Sequence, residues 1–152
     1  MVMRMDGPQL LARLRQLLPE ATEMCALDAS GSIAQSGAYL LLITLVEPVP
    51  FARAALGRHM MSGHLVYVGS ARGAGGITAR VARHLRRGKS VRWHVDELTN
   101  AAQMITALAV ADGDECAIVA QLLKSRLFVP ALKGFGSSDC RVCPAHLLKV
   151  AR

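Results

Sequence analysis

His64-Leu65-Val66-Tyr67-Val68-Gly69 runs directly into Ser70-Ala71-Arg72-Gly73-Ala74-Gly75-Gly76, and then into Ile77-Thr78-Ala79-Arg80-Val81-Ala82-Arg83-His84-Leu85-Arg86-Arg87-Gly88. The first six residues are rich in β-branched and aromatic side chains and end at glycine, as a strand would. The glycine-rich loop leaves the backbone free to turn. An apolar period of about 3.6 residues then begins at Ile77 and stops before Gly88, which predicts a helix over 77–87 with glycine just past its end. Strand, glycine loop and helix in direct succession are an α/β signal.

The flanks extend it. Upstream, residues 38–46 form a continuous apolar run stopped by Glu47-Pro48, the pattern of a strand buried on both faces. Residues 48–63 carry no assignable period. Downstream, 102–110 reads as a third strand. Asp112-Gly113-Asp114-Glu115 then opens a helix to about residue 124, Asp112 and Glu115 having capping-box spacing. Past Pro130, Lys133 to Cys140 is a glycine and serine loop. At the other end, Asp6-Gly7-Pro8 caps an amphipathic helix over 9–18 that stops before Pro19. Ala29-Ser30-Gly31-Ser32 is a turn or linker. Residues 1–36 are therefore expected to be an N-terminal helical extension packed on a main domain of 37–152.

The chain has 152 residues, 52% hydrophobic and 19% charged, so one packed core is expected and wholesale disorder is excluded. No apolar run reaches the roughly 18 residues of a membrane span, and Arg13 and Arg15 break the only leader-like segment. Four cysteines do not suggest a secreted disulfide framework, so a cytoplasmic protein is expected. Three Phe, two Tyr and one Trp give poor support to a platform of stacked aromatics for single strands.

Charge is distributed unevenly. Arg72, Arg80, Arg83, Arg86, Arg87, Lys89 and Arg92 fall in one window without an Asp or Glu, while the other 11 cations balance the 11 anions. Such a field attracts polyanions, nucleic acid foremost. A solvated helix face in an arginine-rich chain accounts for the same composition. At about 100° per residue, Ile77, Val81 and Leu85 share one stripe. Arg80, His84 and Arg87 line its border, and Arg83 and Arg86 face water. An Arg at that border can grip a phosphate through two parallel hydrogen bonds, or simply extend to solvent.

Gly37-Ala38-Tyr39 on the first strand and Tyr67-Val68-Gly69 on the second match the two halves of the GIY-YIG nuclease motif. Arg80 and His84 on a helix, and Glu115-Cys116 opening another, follow in that superfamily's order. More narrowly, the chain resembles the family called domain of unknown function 123 over about 37–148. Trp93-His94-Val95-Asp96 and Gly134-Phe135-Gly136-Ser137-Ser138-Asp139-Cys140 with His146-Leu147 also carry the resemblance.

The resemblance implies an α/β (α+β) domain with a small, mainly antiparallel, three-stranded sheet flanked by helices. It implies a metal-dependent endonuclease acting on nucleic acid, DNA ahead of RNA, in repair or processing. Tyr67 would be the general base, Tyr39 would position water or phosphate, Arg80 would clamp the scissile phosphate and His84 would line the site. Glu115 would hold one Mg²⁺ or Mn²⁺. Ser70 and His94 are accessory candidates, and Asp139 could take the place of a late Asn. Arg72, Arg83, Arg86, Arg87, Lys89 and Arg92 would contact phosphates. A catalytically inactive nucleic-acid-binding module of the same fold is the alternative.

The chemistry is consistent with these residues on independent grounds. Phosphodiester hydrolysis needs an activated water and positive charge on the phosphate. A phenol with a pKa near 10 needs a neighbouring cation to act as a base. A lone carboxylate suits hard ions that keep their waters. Separately, Cys140-x2-Cys143-x2-His146 with Cys116 has the makings of a Cys₃His zinc site. Buried thiols or a Cys116–Cys140 redox pair are the other readings.

Overall fold

Tyr39, Leu41 and Ile43 point to one side of a strand and Leu40 and Leu42 to the other, and both sides are buried. That is why residues 38–43 are apolar without alternation. The structure, a computed structural model, describes residues 5–24, 35–53, 57–73, 75–132 and 145–151. The strand in question, β2 (Gly37–Arg53), pairs with β3 (Gly57–Ala71) on one side and with β4 (Met104–Ala111) on the other. Three short strands, β1 (Thr22–Met24), β5 (Phe128–Pro130) and β6 (Leu147–Val150), extend an antiparallel sheet of order β1-β4-β2-β3-β6-β5.

The described residues form four helices, two on each face. On the first face, α1 (Gly7–Leu17) and α4 (Glu115–Lys124) bring Leu10, Leu14, Ile118, Val119 and Leu122 against Leu40, Leu42, Val66 and Val68. On the second, α2 (Gly76–Leu85) and α3 (His94–Ala101) bring Ile77, Val81, Val95 and Leu98 against Tyr39, Leu41, Ile43 and Leu65. Each fully buried Leu or Ile is worth about 1.5–3 kcal/mol, so the two-sided burial of β2 anchors the domain. No helix of the described residues is long and apolar enough to cross a membrane.

The α+β class holds, but among the described residues the sheet has six strands where three were expected. The expected three are its centre. The added ones, β1, β5 and β6, have 3 or 4 residues each. That is too short for a period, and they owe their state to distant partners. Residues 48–63 prove to be strand as well, with a register shift between Leu45 and Val49. Pro48 and Pro50 are tolerated because β4 pairs no further than Thr44, leaving that part of β2 an edge.

Asp6 caps α1 as expected, its carboxylate accepting from Gln9 N at 2.8 Å. Two boundaries move. Asp114, not Asp112, caps α4, accepting from Ala117 N at 2.9 Å, while Asp112 turns through a left-handed conformation at φ 57°. Helix α2 ends at Leu85, where Lys89 Nζ donates to the carbonyls of His84 and Arg86 at 3.2 and 2.9 Å. The loop expected at 133–140 and the turn at 29–32 lie outside the described residues.

Candidate active site

The β2–β3 register sets Tyr39 opposite Gly69 and Leu41 opposite Tyr67, so both phenols lie on the face covered by α2 and α3. Their ring centroids are 6.4 Å apart. A Cβ at position 69 would overlap the Tyr39 ring, so the glycine is there for that ring to cross the neighbouring strand. From α2, His84 meets both phenols, with centroids at 5.3 Å from Tyr39 and 6.0 Å from Tyr67. The Tyr39 hydroxyl and His84 Nε2 share a hydrogen bond of 2.7 Å.

These groups are neutral at physiological pH. Burial pushes the His84 pKa down to about 4, against the pull of Asp96. Burial also pushes the Tyr67 phenol up to about 12, helped by Glu115 and opposed by Arg80. Tyr39 is raised well above its usual value by burial and then by Tyr67. His84 is fully buried, and its Nδ1 has no hydrogen-bond partner among the described residues.

Arg80 lies one turn before His84, with its guanidinium 4.9 Å from the Trp93 ring centroid. Arg83 covers the same ring at 4.4 Å. Its guanidinium also donates to both carboxylate oxygens of Asp96, each at 2.8 Å. Burial raises the Asp96 pKa. The Arg83 bonds and the N–H groups of Trp93 and Arg92 more than offset this, holding it at about 2. Arg83 was expected to face water and touch phosphate. It is 15% exposed and committed to Asp96, because α3, which carries Asp96, covers that side of α2.

Two more of the expected phosphate contacts are otherwise engaged. Arg87 donates to the carbonyls of Thr99 and Ala102 at the end of α3. Lys89 bonds the end of α2 and Asn100. Arg86 and Arg92 are exposed, as is Arg72, whose guanidinium touches Gly113 O at 3.4 Å.

His94 packs its ring edge against Phe51 at 5.8 Å. The Asp96 oxygens accept from Arg83 and from the N–H groups of Arg92 and Trp93. Strand alternation puts Ser70 on the face of Val68, away from the phenols.

Glu115 belongs to the opposite layer as the first residue of α4, and its charge reaches both phenols. Its Oε2 lies 3.5 Å from His146 Nδ1. With Cys116 the two form a cluster whose donor atoms all lie within 4.8 Å of one another. Of the expected zinc ligands, Cys116 and His146 thus come together. Cys140 and Cys143 lie outside the described residues, as does Asp139.

Sequence reasoning missed the platform role of Trp93 and the Arg83–Asp96 pair. The available signal was Asp96 placed three residues after Trp93, a spacing at which its carboxylate returns to the Trp93 N–H.

A family model described as a domain of unknown function, DUF123, matches residues 38–152. No curated protein and no solved structure matches the chain.

Proposed function

This chain belongs to the DUF123 family, a GIY-YIG-like family, and we propose that it is a metal-dependent endonuclease hydrolysing phosphodiester bonds of nucleic acid, DNA ahead of RNA, in the cytoplasm. One observation carries the reading. Tyr39, Tyr67, Arg80 and His84 meet on a single sheet face, and Glu115 is near enough to shift both phenols.

In this reading Arg80, steadied on Trp93, holds the scissile phosphate. Tyr39, tied to His84, orients the attacking water, and Tyr67 takes that water's proton. The neutral imidazole adds no charge of its own beside the phenols. Burial, and then Glu115, oppose the Tyr67 phenolate and Arg80 favours it, so neutralising the Glu115 carboxylate would remove the second of these obstacles to the base.

The Glu115 side chain is 26% exposed. A partly exposed carboxylate fits a hard ion that keeps most of its waters. Glu115 would hold Mg²⁺ or Mn²⁺, which supplies Lewis-acid stabilisation of charge on the phosphate oxygens. Arg72, Arg86 and Arg92 would bind flanking phosphates, giving salt-sensitive affinity with little base readout.

The test is incubation with end-labelled DNA and RNA structures in Mg²⁺, Mn²⁺ or EDTA, beside a Glu115→Ala variant. Divalent-dependent cleavage that the variant loses while still binding supports the proposal. Cleavage in EDTA, or cleavage that survives the variant, overturns it. The protonated state imposed on Tyr67 favours one rival, a non-catalytic binding module of the same fold. Equal binding and no cleavage by both proteins would establish that rival.

A further inference from the structure

The 3.5 Å between Glu115 Oε2 and His146 Nδ1 is long for a charge-assisted hydrogen bond, which runs at about 2.7–2.9 Å. It matches the gap between two donors on one tetrahedral Zn²⁺, roughly 3.3–3.5 Å for bonds near 2.0–2.1 Å. Cys116 supplies the third donor. With every donor atom within 4.8 Å of the others, a contraction of about 1 Å brings a thiolate to Zn–S distance.

The ligands are held from both sides. Glu115 and Cys116 form the first turn of α4, fixed by the Asp114 cap. His146 directly precedes β6, and its carbonyl accepts from Val68 N at 2.9 Å. His146 is 3% exposed, and its Nε2 has no hydrogen-bond partner among the described residues. With Nδ1 as the ligand atom, Nε2 carries the ring N–H, so the site rests on the approach of Nδ1 to Glu115 Oε2 and not on Nε2.

We infer that Glu115, Cys116 and His146 form a three-ligand site for a borderline divalent ion of the Zn²⁺ class. A carboxylate, a thiolate and an imidazole match Zn²⁺, whereas Mg²⁺ prefers oxygen alone. Binding releases the Cys116 proton, so affinity rises with pH. Among the described residues these three ligands fill three of the four positions of a tetrahedral ion. The site shares Glu115 with the hard ion of the nuclease reading, so the two ions exclude one another. That consequence rests on the nuclease reading, whereas the binding itself does not.

The full chain, stripped with chelator, is titrated with Co²⁺ as a spectroscopic surrogate. One equivalent is expected to bind, with a thiolate-to-cobalt charge-transfer band and the strong visible bands of tetrahedral cobalt. Stoichiometric Zn²⁺ should displace it and excess Mg²⁺ should not. Cys116→Ser should abolish the charge-transfer band. His146→Asn and Glu115→Gln should each weaken binding tenfold or more.

Circular dichroism of the stripped variants checks their fold. Should His146→Asn fail to fold, the near-isosteric Cys116→Ser carries the test. Absence of binding overturns the inference, as does a charge-transfer band that persists in Cys116→Ser. Because the readout is metal binding, an inactive nuclease leaves it standing, and an active nuclease without the cobalt signal removes it alone.

Discussion

Replacing Arg83 with Ala separates a structural from a phosphate-binding role. Asp96 is fully buried, and two of its contacts are the 2.8 Å bonds from Arg83. Its pKa lies at about 2 against an ordinary 3.8, and a shift of that size corresponds to about 2 kcal/mol in favour of the folded carboxylate. Breaking a buried pair by deleting one partner typically costs roughly 3–5 kcal/mol, because a charge is left uncompensated. Arg83→Ala should therefore lose about 2–5 kcal/mol, read as a fall in the urea midpoint at pH 7. Arg86→Ala, on the exposed side of the same turn, should stay within about 0.5 kcal/mol of wild type.

The pH dependence gives a second check. In the wild type the Asp96 contribution is complete above its unfolded pKa of 3.8 and is lost as pH falls through about 2. In the variant, burial acts without Arg83 and raises the carboxyl pKa, so protonation relieves the defect. The gap between the two proteins should shrink on acidification. An Arg83→Ala protein as stable as Arg86→Ala would refute the reasoning and return Arg83 to the phosphate-binding set.

Gly69→Ala places a Cβ inside the Tyr39 ring, and overpacking of this kind should cost about 1–3 kcal/mol in urea unfolding. Its refutation is an unchanged midpoint. His84, with a folded pKa of about 4 against an ordinary 6.5, contributes stability that is complete above 6.5 and is lost as pH falls through 4. The loss approaches about 3 kcal/mol. A His84 ring-proton NMR signal titrating near 6.5 would contradict this. In nucleic-acid titrations across salt, Arg72→Ala, Arg86→Ala and Arg92→Ala should each flatten the slope of log K on log salt by about 0.9. Lys89→Ala should leave that slope alone and lower stability.

The legible parts of the fold were those whose information is local. The apolar run through Leu40 and Ile43, the strand ending at Gly69, the stripe of Ile77 and Val81 and the Asp6 cap all follow from periods or caps within one segment. The edge strands were not legible, because Thr22 to Met24 is strand only by pairing with Ala107 to Ala109.

Helix α3 escaped for a related reason. Its 8 residues mix His94, Asp96 and Asn100 with few apolar positions, and its start depends on the Asp96 carboxylate turning back to Trp93 N. Missing α3 in turn sent Arg83 to solvent. It also left His84 at a border, although the packed helices bury it more fully than Leu85. The meeting of Tyr39, Tyr67 and His84 was legible from the motif halves and the helix that follows them. The electrostatics of the site were not, because the pKa of Tyr67 depends on burial and on Glu115, 48 residues away in the sequence.

The most direct test of the account is single-turnover cleavage by Tyr67→Phe in saturating Mg²⁺, with binding measured on the same substrate. Loss of a general base predicts a rate about 10²–10⁴-fold lower, at affinity within about twofold of wild type. A Tyr67→Phe protein that cuts at the wild-type rate would contradict the claim that this phenol draws the proton from water.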